Sequence, residues 1–217
     1  MAPTPVHFFS HGSTMMLGEE SSSACYWKKC GDEALEHGIK GVLNNDLETA
    51  NRCIKLLADA GFNVCGNDTV ELIHDVYLIL IRMFPKTCPP ATLISLNARY
   101  DPHYHMKVGS TVRELRNEGY LIIGTGGAVH NLYRSRQAVE DVITTTSGPQ
   151  LRRAMTRLMK HPEYRDAHAT DDRFRPAMFM AGAAGEFEDV GSPAVLGAET
   201  WELTNKCNSQ FTEVGRA

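Results

Sequence analysis

Short apolar runs that break into glycine or small polar residues alternate with stretches of helical length through the first two thirds of the chain. "VHFF" (6–9), "IKGVL" (39–43), "FNVCG" (62–66), "ATLISLNA" (91–98) and "YLIIGTGG" (120–127) read as strands. The first is followed by "SSSACYWKKCGDEALEHG", which opens on capping serines and closes on Gly38. In "NNDLETANRCIKLLADAG", Asp46 stands at the capping position. Ala50, Cys53, Ile54, Leu57 and Ala60 then recur at helical spacing until Gly61 stops the run. "TVELIHDVYLILIRMFP" has helical length despite its β-branched residues, and "DPHYHMKVGSTVRELRNEG" opens on Asp-Pro and closes at Gly119. From about residue 136 the pattern is mainly helical ("RQAVEDVI", "GPQLRRAMTRLMKHPE", "RFRPAMFMAGAAG"), with a last edge strand around "TWELTN". This alternation predicts the α/β class, as an open, mainly parallel sheet with helices on both faces. No repeat, low-complexity tract or linker divides the 217 residues, so one α/β domain is expected over 1–217. Such sheets bind ligands beyond the carboxyl ends of their strands. His11, Asn97 and the segment Gly124 to His130 would share that edge.

Composition narrows the function classes. Hydrophobic residues make up 42% and charged residues 22%, with a net charge of −4. That balance gives no electrostatic footprint for nucleic acid or an anionic membrane. The longest apolar run, "VYLILI" (76–81), is too short to span a bilayer. "MAPTPVHFF" has neither a basic start nor a long apolar stretch, so no signal peptide is expected. The six cysteines contain no CxxC pair and read as free thiols of a reducing, cytoplasmic environment.

Histidines carry most of the chemical information. His11 follows the first strand within "SHGS" and reads either as a turn residue or as a metal ligand or base. His103 and His105, two apart on a helix, do not share a face, so at most one points into a site. His74 and Asp75 are adjacent, and adjacent helical residues diverge, which argues against a ready-made dyad. "GTGGAVHN" is not a dinucleotide fingerprint, because Val129 stands where a third glycine is needed. Gly126 and Gly127 would instead let backbone amides approach a substrate or oxyanion, with His130 close by. His168, Asp171 and Asp172 in "HATDDRF" are metal-binding types that a polar helix cap explains equally well. Ser10 and Ser13 lack a GxSxG elbow, which sets a serine hydrolase aside and leaves Ser10 as a candidate substrate contact.

Taken in order, "FFSHGSTMM", "IHDVYLILIRMFP", "ISLNARYDPHYHMKVG", "YLIIGTGGAVHNL" and "HATDDRFRPAMFMAGAAG" resemble the class III extradiol ring-cleavage dioxygenases, in their DOPA-dioxygenase-like branch. The resemblance implies a non-haem Fe(II), sometimes replaced by Zn(II), that binds both oxygens of a catecholate and also O₂. It implies a small aromatic or phenolic substrate. It assigns His11 and His168 to the metal, and His105, His130 and His74 to the pocket, with His105 the better acid/base. The chain departs from the pattern in three places. Relatives carry an Ala-His-Trp turn after the second strand, whereas here "IKGVL" runs straight into Asn44, Asn45 and Asp46. A second stretch is shorter after Tyr133. Arg173 occupies the position of a second histidine in the "HATDDRFRP" segment. A guanidinium repels a metal ion but grips a carboxylate or phenolate bidentately.

Three readings follow. The first is a shortened Fe(II) dioxygenase using His11, Asp46 and His168. The second is a metal-independent isomerase or cyclase with His105 and His130 as acid and base and Arg173 as anion clamp. The third is a non-catalytic ligand-binding relative whose apolar groove is covered by a second copy of the chain, a homo-oligomer.

Overall fold

Val6–Ser10 forms strand β1, buried at all five positions. It is the middle strand of a sheet whose other members are β2 (Gly41–Val42), β3 (Tyr120–Gly126), β4 (Val195–Glu202) and β5 (Lys206–Glu213). The computed structural model describes residues 3–42, 47–95, 97, 101–127, 133–168, 170–202 and 206–215. The strand order is β2-β3-β1-β5-β4. β2, β3 and β1 run parallel, while β5 is antiparallel to both β1 and β4. All the strands but β5 therefore point the same way, and the α/β expectation of an open, mostly parallel sheet holds.

The helices are α1 (Ser22–Glu36), α2 (Leu47–Asp59), α3 (His74–Met83), α4 (Pro102–Val112), α5 (Tyr133–Thr145), α6 (Pro149–Leu158), α7 (Tyr164–Ala167) and α8 (Arg175–Ala183). Their boundaries follow the local chemistry. Ser21 caps α1 by accepting from the Ala24 amide, and Asp101 caps α4 by accepting from the His103 amide with Pro102 behind it. Gly38 and Gly61 adopt positive φ just past α1 and α2, as helix-ending glycines do.

Strand alternation distributes the core over two faces. Val6, Phe8 and Ile122 point to the side covered by α4, α6 and α8, together with Met106, Met155 and Phe179. Phe9 and Leu121 point to the side covered by α1 and α3, against Trp27, Leu78, Ile79 and Met83. Burial of each large apolar side chain contributes roughly 1.5–3 kcal/mol, which fixes the register of β1 and β3 against a one-residue slip.

Four elements differ from the sequence reading; the last strand, read around "TWELTN" alone, is two, β4 at the edge and β5 inside it. Phe62 and Val64 are not in a strand; they pack their alternating face against the core beside Tyr104. The run from Ala91 contributes one parallel bridge, to Val42. The helix expected from residue 69 begins at His74, because Ile73 is extended (φ −93°, ψ 174°) and Val70, Leu72 and Ile73 are exposed. β5 itself has no apolar alternation. Asn208, Ser209, Gln210, Thr212 and Glu213 are all buried there, each held by polar partners. Gln210, for example, donates to the Ser10 carbonyl (2.8 Å) and accepts from the Trp27 indole (2.7 Å).

Candidate metal centre at the strand ends

The chain leaves β1 at His11, whose amide donates to the Gly126 carbonyl at the end of β3 (2.9 Å). Two neighbouring parallel strands thus end together, and side chains beyond them share one space. That space is a cavity of about 450 Å³. Its floor is His11, Val42, Ile123 and Gly126; one wall is the start of α3 with His74 and Asp75; the other is Arg173, Pro176 and Phe179. Leu72, Ile73 and Leu93 form a partly exposed apolar rim.

His11 is 2% exposed. Its Nδ1 lies 3.3 Å from the Gly12 carbonyl, so Nδ1 carries the hydrogen and the Nε2 lone pair faces outward. Nε2 is 3.9 Å from Asp75 Oδ1, and His74 Nε2 is 3.0 Å from the same oxygen. The two imidazoles meet edge to face at 5.6 Å. Burial, above all, lowers the His11 pKa; the Asp75 charge and the Gly12 carbonyl oppose that, and the charges of His74 and Arg173 add to it. His11 therefore presents a neutral nitrogen near pH 7, the form that ligates a metal.

Donor atoms around one ion at about 2.1 Å lie roughly 3–4 Å apart. The ligand atoms of His11, His74 and Asp75 all lie within 4.8 Å of one another, so this group fits a divalent metal with little movement. Two imidazoles and one carboxylate with open positions are the donor set of non-haem Fe(II) oxygenases. Asp75 was missed by the sequence reading. His74 and Asp75 stand at the N-terminal end of α3, which opens onto the cavity, and both line it although their side chains leave the helix in different directions.

The other candidate residues divide. Arg173 lies on the cavity wall, close enough to His11 for its charge to be felt. Gly126 lines the cavity, but its lack of a side chain also serves the approach of α8: a Cβ there would meet the Arg173 carbonyl. The Gly127 amide donates to that carbonyl (2.9 Å), so it is not directed at a ligand. Ser10 is fully buried and its hydroxyl faces Asn208 (3.4 Å). His105 is fully buried and does not line the cavity, with Nδ1 2.7 Å from the Asp101 carbonyl and Nε2 3.2 Å from that of Asn97. His168 is packed between the rings of Tyr164 (5.2 Å) and Phe174 (5.0 Å), and it does not stand with His11. His130 and Asp46 lie outside the described residues. All six cysteines are free. Among the described residues, no helix is long and apolar enough to cross a membrane.

A mostly parallel sheet with imidazoles and a carboxylate gathered over its strand ends defines an α/β protein with a candidate metal centre. Residues 34–200 match the family described as the catalytic LigB subunit of aromatic ring-opening dioxygenase, and the chain belongs to that family. It is similar to the 4,5-DOPA dioxygenase extradiol of Beta vulgaris, 29% identical over 170 residues that cover 71% of this chain and 61% of the relative. The enzyme of the same name from Escherichia coli K12 is 22% identical over 169 residues, covering 71% and 62%. That from Portulaca grandiflora is 28% identical over 169 residues, covering 70% and 60%. The chain thus spans about three fifths of the length of the relatives it matches. Its fold is shared with the crystal structure of the uncharacterized protein JW3007 from Escherichia coli K12, with a TM-score of 0.75, 19% identity, and 97% and 99% of the two chains covered.

Proposed function

We propose that the cavity is the active site of an extradiol ring-cleavage dioxygenase acting on a small catecholic or phenolic molecule, with Fe(II), or Zn(II) in its place, held by His11, His74 and Asp75. The observation that carries this reading is the convergence of those three donors where the floor of the cavity meets one wall, at the ends of β1 and β3. A bound Fe(II) would supply two open positions for a catecholate and one for O₂. The protein does the rest. Apolar side chains such as Val42, Ile79 and Phe179 enclose a planar ring and exclude water. Asp75 adds a negative charge that offsets part of the cation's charge. Arg173 receives an anionic substituent or phenolate on the opposite wall.

The test is metal content and oxygen uptake with simple catechols, in protein purified without chelator. Uptake should require Fe(II), disappear with EDTA and return on reconstitution. A second reading is favoured by the Arg173 cation near His11 and by the 3.0 Å His74–Asp75 contact. In it, a metal-independent isomerase or cyclase uses His74 as proton carrier, oriented by Asp75. Turnover of a phenolic compound that survives EDTA and the absence of oxygen would overturn the dioxygenase in its favour.

A further inference from the structure

We infer that Glu202 is a positioning residue for His11, acting through the Gly12–Ser13 peptide and thereby setting how tightly the His11, His74 and Asp75 group holds a divalent metal. The inference rests on reading that group as a metal centre.

Glu202 ends β4, the edge strand, yet its carboxylate turns inward over the loop that follows β1. Its Oε2 accepts from the Ser13 amide (3.1 Å) and from the Asn208 side-chain amide (3.1 Å), and its Oε1 accepts from the Ser13 hydroxyl (3.1 Å). Three donors offset the cost of drawing an ionised group away from water. Gly12 leaves room for it, since a Cβ at that position would fall on the carboxylate. The rest of the loop is anchored by the His11 amide on Gly126 O (2.9 Å) and by Gln210 on the Ser10 carbonyl (2.8 Å).

Peptide planarity supplies the link. The Ser13 N–H and the Gly12 C=O belong to one rigid plane. Glu202 grips the N–H end, and the C=O end meets His11 Nδ1 at 3.3 Å. That last contact fixes which ring nitrogen carries hydrogen and how the ring is turned, leaving Nε2 for the metal. Partners that orient a ligating histidine in this way typically govern about 10–100-fold in metal affinity. Nothing in the sequence signals the arrangement, because 189 residues separate Ser13 from Glu202.

The experiment titrates Zn(II) into wild-type protein, Glu202→Ala, Glu202→Gln and His11→Ala, with thermal unfolding of each measured alongside. Glu202→Ala should bind Zn(II) about 10–100-fold more weakly. Glu202→Gln, whose amide oxygen still accepts from the Ser13 N–H, should keep most of the affinity. Equal losses in Gln and Ala would mean that the carboxylate acts by charge alone, which overturns positioning. Wild-type affinity in Glu202→Ala, with binding lost in His11→Ala, would overturn the inference and spare the metal reading. If wild-type protein fails to bind Zn(II), or His11→Ala binds it equally well, the metal reading fails. The positioning of the His11 ring by Glu202 is then tested alone, by the ¹⁵N spectrum of that ring in metal-free protein. The Nδ1–H form should dominate in the wild type and give way to a mixture in Glu202→Ala; an unchanged spectrum overturns it. If Glu202→Ala does not fold, Glu202→Asp, whose carboxylate stops one methylene short of the Ser13 amide, takes its place and should bind Zn(II) more weakly than Glu202→Gln; equal affinity in the two would overturn the inference.

Discussion

The two ends of β1 both gather charged and polar groups, and they treat them in opposite ways. At the amino end, Arg116 is buried and nearly every donor is used: Nε to the Thr4 carbonyl (2.8 Å), Nη1 to the Ala183 carbonyl (3.2 Å) and Asp189 (3.3 Å), and Nη2 to Glu213 (2.7 Å). His7 beside it shares the Thr212 hydroxyl with Tyr26. At the carboxyl end, the backbone is clamped as firmly, but His11, His74, Asp75 and Arg173 line a cavity. A closed network spends its polar capacity on the fold, while an open one keeps that capacity for a ligand. Substitutions at the two ends should therefore separate stability from binding.

The largest effect is expected at the closed end. Arg116→Ala would strand the buried carboxylate of Glu213, leave Asp189 to Arg113 alone, and should cost about 3–5 kcal/mol of stability, read by urea unfolding. A loss below about 1 kcal/mol would mean that water reaches this end and that it is not closed. The counterpart is His11→Ala, whose ring borders empty space on one side. It should remove Zn(II) binding by more than about 100-fold while changing stability by about 1 kcal/mol or less. A variant that unfolds instead would place His11 with the structural groups.

Protonation sharpens the contrast. Burial, opposed by Arg116, pushes the Glu213 carboxyl up to about 6. Its folded value exceeds the unfolded 4.5, so its stabilisation is complete at low pH and fades as pH rises from 4.5 to 6. Burial, aided by the Arg116 charge, holds His7 down to about 3. That contribution is complete above 6.5 and is lost as pH falls toward 3. In the shared window the two slopes oppose each other. Glu213→Gln removes one of them, so stability should climb more steeply with pH than in the wild type, by about 2 kcal/mol over that window. Parallel curves for the two proteins would show that Glu213 stays ionised throughout.

The same contrast explains what was legible in the sequence. Elements set by local chemistry, such as the Ser21 and Asp101 caps and the apolar alternation of β1 and β3, follow from spacing alone. So does the placing of His11 at a strand end over a wound sheet. β5 does not, because its burial depends on partners such as Trp27 and Ser10 that lie far away in the chain. For the same reason His105 could not be distinguished from a pocket residue: both its nitrogens face carbonyls, of Asp101 and Asn97, whose positions only the folded chain fixes. Asp75 was hidden because divergence along a helix does not keep two neighbours apart when a cavity lies over the helix end. Glu202 had no signal at all.

The smallest effect expected, and the one that best separates the two functional readings, is at Arg173. Arg173 lines the cavity and forms no ion pair with a carboxylate among the described residues, although its charge reaches Asp172. Asp172 is held by Thr170, and Arg175 donates to the Asn97 carbonyl. Arg173 therefore faces whatever occupies the cavity, and its charge acts with opposite sign on the two ligands proposed for it. Arg173→Gln should weaken binding of a carboxylated catechol by about 10-fold, the value of one charge-assisted hydrogen bond in a partly open site. Binding of catechol itself should change much less. The same substitution removes a positive charge near His11 and should strengthen Zn(II) binding by about 2- to 5-fold at low salt, an advantage that salt screens away. Opposite shifts from one substitution would place metal and anion in the same cavity, as the dioxygenase reading requires. A loss of anion binding with no change in Zn(II) affinity would instead detach Arg173 from the metal and favour the metal-independent enzyme.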